Sequence, residues 1–243
     1  KVFTKAKNVL KSREEKGQKH DEVISLVYFD EMGLAEISPN NPLKVIHSEL
    51  EYQEGVEQVA FIGVSNWTLD ASKMNRGVYI SIPEPDENDL VNTALTIAKS
   101  YEQNIDSNYG DIISALAKSY FKFKKEMKEV PKYAEFFGSR DFYHLIKTAC
   151  KKLITIQGSD KEKDFCATIT IERNFGGKMD EVEPKTRRKI EGSVTKMKKI
   201  FKEFYPKYNE SSALFDVKNC VRENLFDRTS RYMLVVTQSS LGP

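Results

Sequence analysis

Two apolar runs of strand length, each ending abruptly in polar residues, constrain this chain most. The first is Val23-Ile24-Ser25-Leu26-Val27-Tyr28-Phe29, which ends in Asp30-Glu31. The second is Val59-Ala60-Phe61-Ile62-Gly63-Val64, which ends in Ser65-Asn66. Near-continuous apolar runs are the pattern of strands buried on both faces of a parallel sheet, because crossover helices cover both sides. Between the runs, Asn41-Pro42 opens a predicted helix with Leu43, Ile46 and Leu50 on one face. The alternation predicts an α/β layer, and Val78-Tyr79-Ile80 reads as a short third strand. Ahead of the first run, Phe3, Ala6 and Val9-Leu10 recur at helical spacing, predicting an amphipathic helix over 1–16. It opens without a capping residue, so the chain is expected to be cut near or inside that helix.

The pattern changes at Pro83-Glu84 and Pro85-Asp86, which mark a boundary. Helices are predicted over 86–103, 108–128, 139–153 and 162–175, the last closed by Gly176-Gly177. Within it, Thr168-Ile169-Thr170-Ile171 would also suit a strand. Residues 186–205 place Ile190, Val194, Met197, Phe201 and Phe204 on one helical stripe. Residues 214–226 read as helix and 232–237 as a strand opening a new unit. Three segments are therefore expected: an α/β part over 1–82, a helical part over 83–180, and 181–243 with an amphipathic basic helix.

Composition narrows the classes. The chain has 40% hydrophobic and 30% charged residues, which suits a globular protein and not a disordered one. A net charge of +2 argues against polyanion binding by the chain as a whole. Basic residues do concentrate over 185–207, against only Glu191 and Glu203. That segment suits a membrane surface or, less well, nucleic acid; the plainer reading is a solvated helix face. Cys150, Cys166 and Cys220 are odd in number and far apart, which fits reduced thiols and neither a disulfide framework nor a zinc site. No apolar run approaches the ~18 residues of a membrane span. His20, His47 and His144 lack metal-ligand spacing.

Four clusters carry chemistry: Asp30-Glu31, Asn66, Met74-Asn75-Arg76-Gly77 and Gly138-Ser139-Arg140-Asp141. Carboxylates at the C-terminal edge of a buried strand stand where ligands bind in open α/β sheets. There Asp30 suits Mg²⁺ held through water, and Glu31 suits the positioning of an attacking water. Asn66, on a neighbouring strand, can donate and accept without adding charge. Singly, each has a plainer reading: a strand-end turn for Asp30-Glu31, a local turn bond for Asn66, a surface salt bridge for Arg76, an intrahelical pair for Arg140.

Taken in order, the clusters resemble the hydrolytic half of an AAA+ ATPase site, a P-loop NTPase fold with a parallel sheet and a helical lid. The resemblance implies ATP and Mg²⁺, with Asp30-Glu31 as Walker B, Asn66 as sensor 1, Arg76 as an arginine finger toward a neighbouring module, and Arg140 as sensor 2. No G-x-x-x-x-G-K-[ST] run occurs in the sequence. The phosphate-gripping loop is therefore expected upstream of Lys1, and this stretch alone is expected to be inactive toward ATP. A degenerate module, kept as a non-hydrolysing scaffold, is the alternative.

Longer phrases resemble one family more closely. They are Phe29-Asp30-Glu31-Met32-Gly33-Leu34-Ala35-Glu36, Ser38 to His47, Gly63 to Asp70, Lys73-Met74-Asn75-Arg76-Gly77, Pro83 to Asp86, Phe136 to Tyr143 and Arg173 to Gly177. They are similar to the mysterin family, giant AAA+ proteins that are also RING-type ubiquitin ligases. The similarity runs over roughly 20–240 and is weakest near 102–132 and 180–215. It implies neighbouring AAA+ modules in the same protein and ubiquitination machinery elsewhere in it, since no RING-like cysteine and histidine pattern occurs here. It also implies a cytoplasmic setting with a link to lipid droplets.

Overall fold

The computed structural model describes residues 2–16, 25–40, 42–51, 54, 59–131, 133, 136–176, 181–182, 189–190, 192–210 and 217–226. They fall into two units, Lys1–Pro83 and Glu84–Pro243.

In the first unit, helix α1 (Val2–Glu14) precedes strand β1 (Leu26–Phe29). Two short helices follow, α2 (Met32–Glu36) and α3 (Lys44–Leu50), and the chain returns as β2 (Ala60–Gly63). The strands are parallel, with Leu26 opposite Ala60 and Phe29 opposite Gly63. Alternation decides what each residue touches. Val27, with Phe29 beside it, turns to the helices and meets Phe3, Leu10, Val59 and Phe61; the Phe3 and Phe61 rings stack at 6.2 Å. A second cluster gathers Met32, Leu43 and Ile46 with Phe61 and Leu69, the face expected of the Pro42 helix.

Two sequence expectations fail in this unit. The strands are not buried on both faces: Leu26 and Tyr28 of β1 and Ile62 of β2 are exposed, because no described element covers that side. The third strand does not form either. After the short helix α4 (Ala71–Met74), residues 78–82 belong to no strand or helix, with Val78 93% and Ile82 88% exposed. Apolar, β-branched sequence favours extension, but a strand exists only where a ladder accepts it, and the described residues offer none.

The second unit is helical. It runs α5 (Glu87–Tyr101), α6 (Ile105–Lys128), α7 (Ser139–Leu153), α8 (Asp160–Phe175), a small antiparallel hairpin of β3 (Glu181–Val182) and β4 (Lys189–Ile190), α9 (Ser193–Phe204) and α10 (Val217–Phe226). Capping fixes the starts. Asp86 and Asp89 exchange backbone bonds at 2.8 and 3.0 Å, and Ser159 with Glu162 does the same for α8. The core joins Ile112, Leu116, Phe123, Leu145, Ile146, Ile171, Phe175, Ile200 and Phe201. It continues past residue 181, where the sequence suggests a boundary. Thr168–Ile171 is helical, not a strand: Thr168 Oγ1 donates back to the Asp164 carbonyl, 2.8 Å away. The 186–205 helix starts only at Ser193, so Ile190 lies in β4 and outside the helical stripe. The strand expected over 232–237 lies outside the described residues.

Candidate functional site

The two carboxylates and the asparagine predicted to carry chemistry come out at the same edge of the sheet. Asp30 follows β1 directly, and Asn66 follows β2 after Val64 and Ser65. The parallel register puts both strands' carboxyl ends side by side. Two backbone bonds extend the pairing beyond the strands: Val64 N–H donates to the Phe29 carbonyl at 2.8 Å, and Met32 N–H donates to the Val64 carbonyl at 2.8 Å. Gly33 then lies against the Asn66 loop so closely that a Cβ there would sit 2.5 Å from the Trp67 ring and 2.7 Å from Ser65 Oγ. No other residue allows that approach.

Asp30 and Glu31 are both exposed at this edge. Asp30 Oδ1 accepts the Glu31 N–H at 2.9 Å. Glu31 caps α2 in the left-handed region, with φ 50° and ψ 40°, and its side chain makes no capping bond. An L-residue with a β-carbon is held there at a cost of about 1–2 kcal/mol. Asn66 is exposed, and its amide meets no partner among the described residues. Its neighbours are tied down instead: Ser65 Oγ donates to the Trp67 carbonyl at 2.6 Å and accepts the Trp67 N–H at 3.3 Å.

Arg76 is engaged within its own unit. Its guanidinium donates to Glu51 Oε1 from Nε at 3.3 Å and from Nη2 at 2.9 Å, and to the Ser72 carbonyl from Nη1. The pair is solvent-facing, Arg76 being 31% and Glu51 55% exposed, so it is weak. Arg140 belongs to the other unit. It is exposed in the first turn of α7, without an ion-pair partner among the described residues, while the adjacent Asp141 carboxylate accepts the Gly138 N–H at 2.8 Å.

The donor set fits a magnesium ion only of one kind. Among the described residues no three His, Cys, Asp or Glu side chains gather as a metal cage. A carboxylate at a strand end suits Mg²⁺ that keeps its waters and is bound chiefly through substrate phosphates.

Where the basic segment is described, three of its lysines are paired, and Lys199 and Lys202 are exposed. Lys196 pairs with Glu126 at 3.0 Å, Lys198 with Glu172 at 2.5 Å and Glu210 at 2.6 Å, and Lys207 with Asp111 at 3.1 Å. The opposite side of α9 is core. Lys185, Arg187 and Arg188 lie outside the described residues. No helix among the described residues is long and apolar enough to cross a membrane.

Sequence reasoning missed the polar residues that brace the edge: Glu36, Glu51, Asp70 and Lys73. Asp70 carried a visible sign, since aspartate is a favoured helix N-cap, and its side chain does accept the Lys73 backbone N–H. Glu36 and Glu51 have no local signature, because their partners are remote in sequence, and Lys73, though it also pairs with Asp70 three residues before it, reaches Glu36 across 37 positions.

Residues 1–89 match the family model described as the RNF213 AAA domain. The chain is 34% identical to "E3 ubiquitin-protein ligase rnf213-beta" of Danio rerio over 240 residues, covering 94% of this chain and 4% of that protein. It is 32% identical to "E3 ubiquitin-protein ligase RNF213" of Mus musculus over 245 residues, again 94% of this chain and 4% of the relative. With the Homo sapiens protein of that name it shares 34% identity over 177 residues, which is 70% of this chain and 3% of that one. The chain thus spans about 4% of the length of the curated relatives it matches most fully.

Proposed function

This chain belongs to the mysterin family, that of the RNF213 ligases, and from that premise we propose that it supplies the water-activating edge of an ATP-hydrolysing AAA module. The observation that carries the reading is the shared strand edge: Asp30 and Glu31 beyond β1, Asn66 beyond β2, the two ends tied by the Met32–Val64 and Val64–Phe29 bonds. Hydrolysis requires a water to attack the γ-phosphorus as the bond to the β-phosphate oxygen breaks. Glu31 orients and polarises that water, and Asn66 holds it from the adjacent strand. Asp30 would hold Mg²⁺, and the ion would supply charge neutralisation on the phosphates.

Arg76 serves a neighbouring module's nucleotide in this reading. It must first leave Glu51, which costs little, since an exposed pair is worth roughly 0–1 kcal/mol. The helical unit is the lid, and Arg140 its phosphate-contacting arginine, for which a bidentate guanidinium is suited. The partners implied are neighbouring AAA modules of the same protein and, through it, its ubiquitination machinery.

The test is Glu31→Gln in the full-length protein that carries this segment. The amide keeps shape and hydrogen bonds but loses the charge that polarises water. Nucleotide affinity should stay unchanged while turnover at this site falls on the order of 10²-fold. Equal single-turnover rates for the variant and the parent would show a scaffold that does not hydrolyse ATP here.

A further inference from the structure

Between Asn66 and Arg76 the chain carries Asp70 and Lys73, which the chemistry above leaves without a task. Both turn to one residue, Glu36, at the far end of α2. Glu36 Oε1 accepts the Asp70 backbone N–H at 2.9 Å and the Lys73 ammonium at 3.0 Å, and Lys73 also pairs with the Asp70 carboxylate. Lys73 is only 7% exposed and Glu36 18%, so this is no loose surface pair. A lysine side chain tucked in this way gives up roughly 2 kcal/mol of rotamer freedom, which two carboxylates and a shared backbone bond must offset.

The place of α2 gives the network its consequence. A five-residue helix cannot hold itself, since the cost of nucleation exceeds what so few bonds return. Its direction is set by what grips its ends. The near end, capped by Glu31, is gripped by the Met32–Val64 bond and the Gly33 contact with Trp67. The far end is gripped by Glu36 alone among its polar residues. Both grips come from the same stretch, 64–73, and that stretch includes Asn66.

We propose that Lys73 is a positioning residue: through Glu36 it locks α2, and with it Glu31, to the loop that presents Asn66, so that the two groups face one water at a fixed separation. The inference rests on the hydrolytic reading of that edge. Neither Lys73 nor Glu36 touches nucleotide; they act only through Glu31 and Asn66.

The experiment measures single-turnover ATP hydrolysis and nucleotide Kd in the full-length protein for Lys73→Met, Lys73→Arg, Glu36→Gln, the Lys73→Met/Glu36→Gln double variant and Glu31→Gln. Lys73→Met should cut the rate roughly 10- to 10²-fold, the scale of an ångström's misplacement, with Kd unchanged. Lys73→Arg should recover most of the rate, and the double variant should be no slower than Lys73→Met, since both changes break one network. If Kd weakens in step with rate, or if Lys73→Met is as fast as the parent while Glu31→Gln is slow, the positioning role is overturned and the hydrolytic reading survives. If Glu31→Gln is itself as fast as the parent, both fall. Should Lys73→Met not fold, Glu36→Gln carries the same test, because its amide is nearly isosteric but loses the charge that holds Lys73.

Discussion

Glu31 is alone among the described non-glycine residues in taking a positive φ, and it is also the residue on which hydrolysis would depend. Backbone strain of this kind persists where surrounding bonds over-determine it, here the Asp30 carboxylate on one side and the Met32–Val64 bond on the other. Its cost can be read from two truncations that remove the same carboxylate. Glycine adopts the left-handed region freely and alanine does not. Glu31→Gly should therefore be more stable than Glu31→Ala by about 1 kcal/mol, even though glycine ordinarily weakens a chain. Urea denaturation followed by circular dichroism measures the difference; an alanine variant as stable as the glycine one would mean the turn relaxes. The asparagine and the two carboxylates were legible in the sequence because each ends an apolar run. The bracing residues Glu36 and Lys73 were not, because a bond between positions 36 and 73 leaves no local pattern in either segment.

At the scale of elements, helices were legible where their ends are coded. The capping pairs Asp86 with Asp89 and Ser159 with Glu162 stand at the starts of α5 and α8; the expected start at 86 falls on the first pair, whereas the expected start at 162 overlooks the Ser159 cap and falls two residues inside α8. The strand over 78–80 was misread because pairing is not a local property. The start of α9 was misread because Ile190 keeps the helical spacing while belonging to a hairpin. The helix itself is joined to α8 by a charge network. Burial acts to lower the Lys198 ammonium pKa, but the hydrogen bonds it donates to Glu172 and Glu210 outweigh it, so the group ends above the ordinary lysine value of 10.5. A folded-state pKa above the unfolded one adds stability that is complete below 10.5 and disappears as pH rises through the folded value. Lys198→Met should thus cost stability at neutral pH, on the order of 2 kcal/mol, because it strands the Glu172 carboxylate, whose Oε2 is already buried without a partner. It should also flatten the loss of stability above pH 10.5. Thermal melts between pH 7 and 12 check both; a parallel fall in parent and variant at high pH would remove Lys198 as its source.

The two units differ in how they are held together. In the helical unit a single core runs from Leu90 to Tyr208, with Phe123, Phe137 and Phe175 packed ring to ring at 4.8 to 5.9 Å. The sheet unit has two small clusters, an open sheet face and an unpaired apolar segment at 78–82. Apolar burial is the main stabilising term, so local opening should follow this inequality. In native-state hydrogen exchange, amides of α6, α7 and α8 should exchange slowest, and those of β1 and β2 should exchange by smaller openings. Thiol labelling gives a second reading on the helical unit. Burial pushes the Cys150 thiol up to about 12 and the Cys166 thiol up to about 11, so neither is a thiolate at neutral pH. In a Cys220→Ser background, a disulfide reagent at pH 8 should therefore modify Cys150 and Cys166 only as fast as the helical core opens, and denaturant should raise that rate in step with the exchange of α6. Prompt labelling in native buffer would show that the helical core opens readily, and β1 amides as protected as those of α6 would show that the sheet edge does not depend on further packing for its rigidity. The proposed role of Lys73 makes the same point from the other side: where the core is thin, a polar network must hold Glu31 and Asn66 in register.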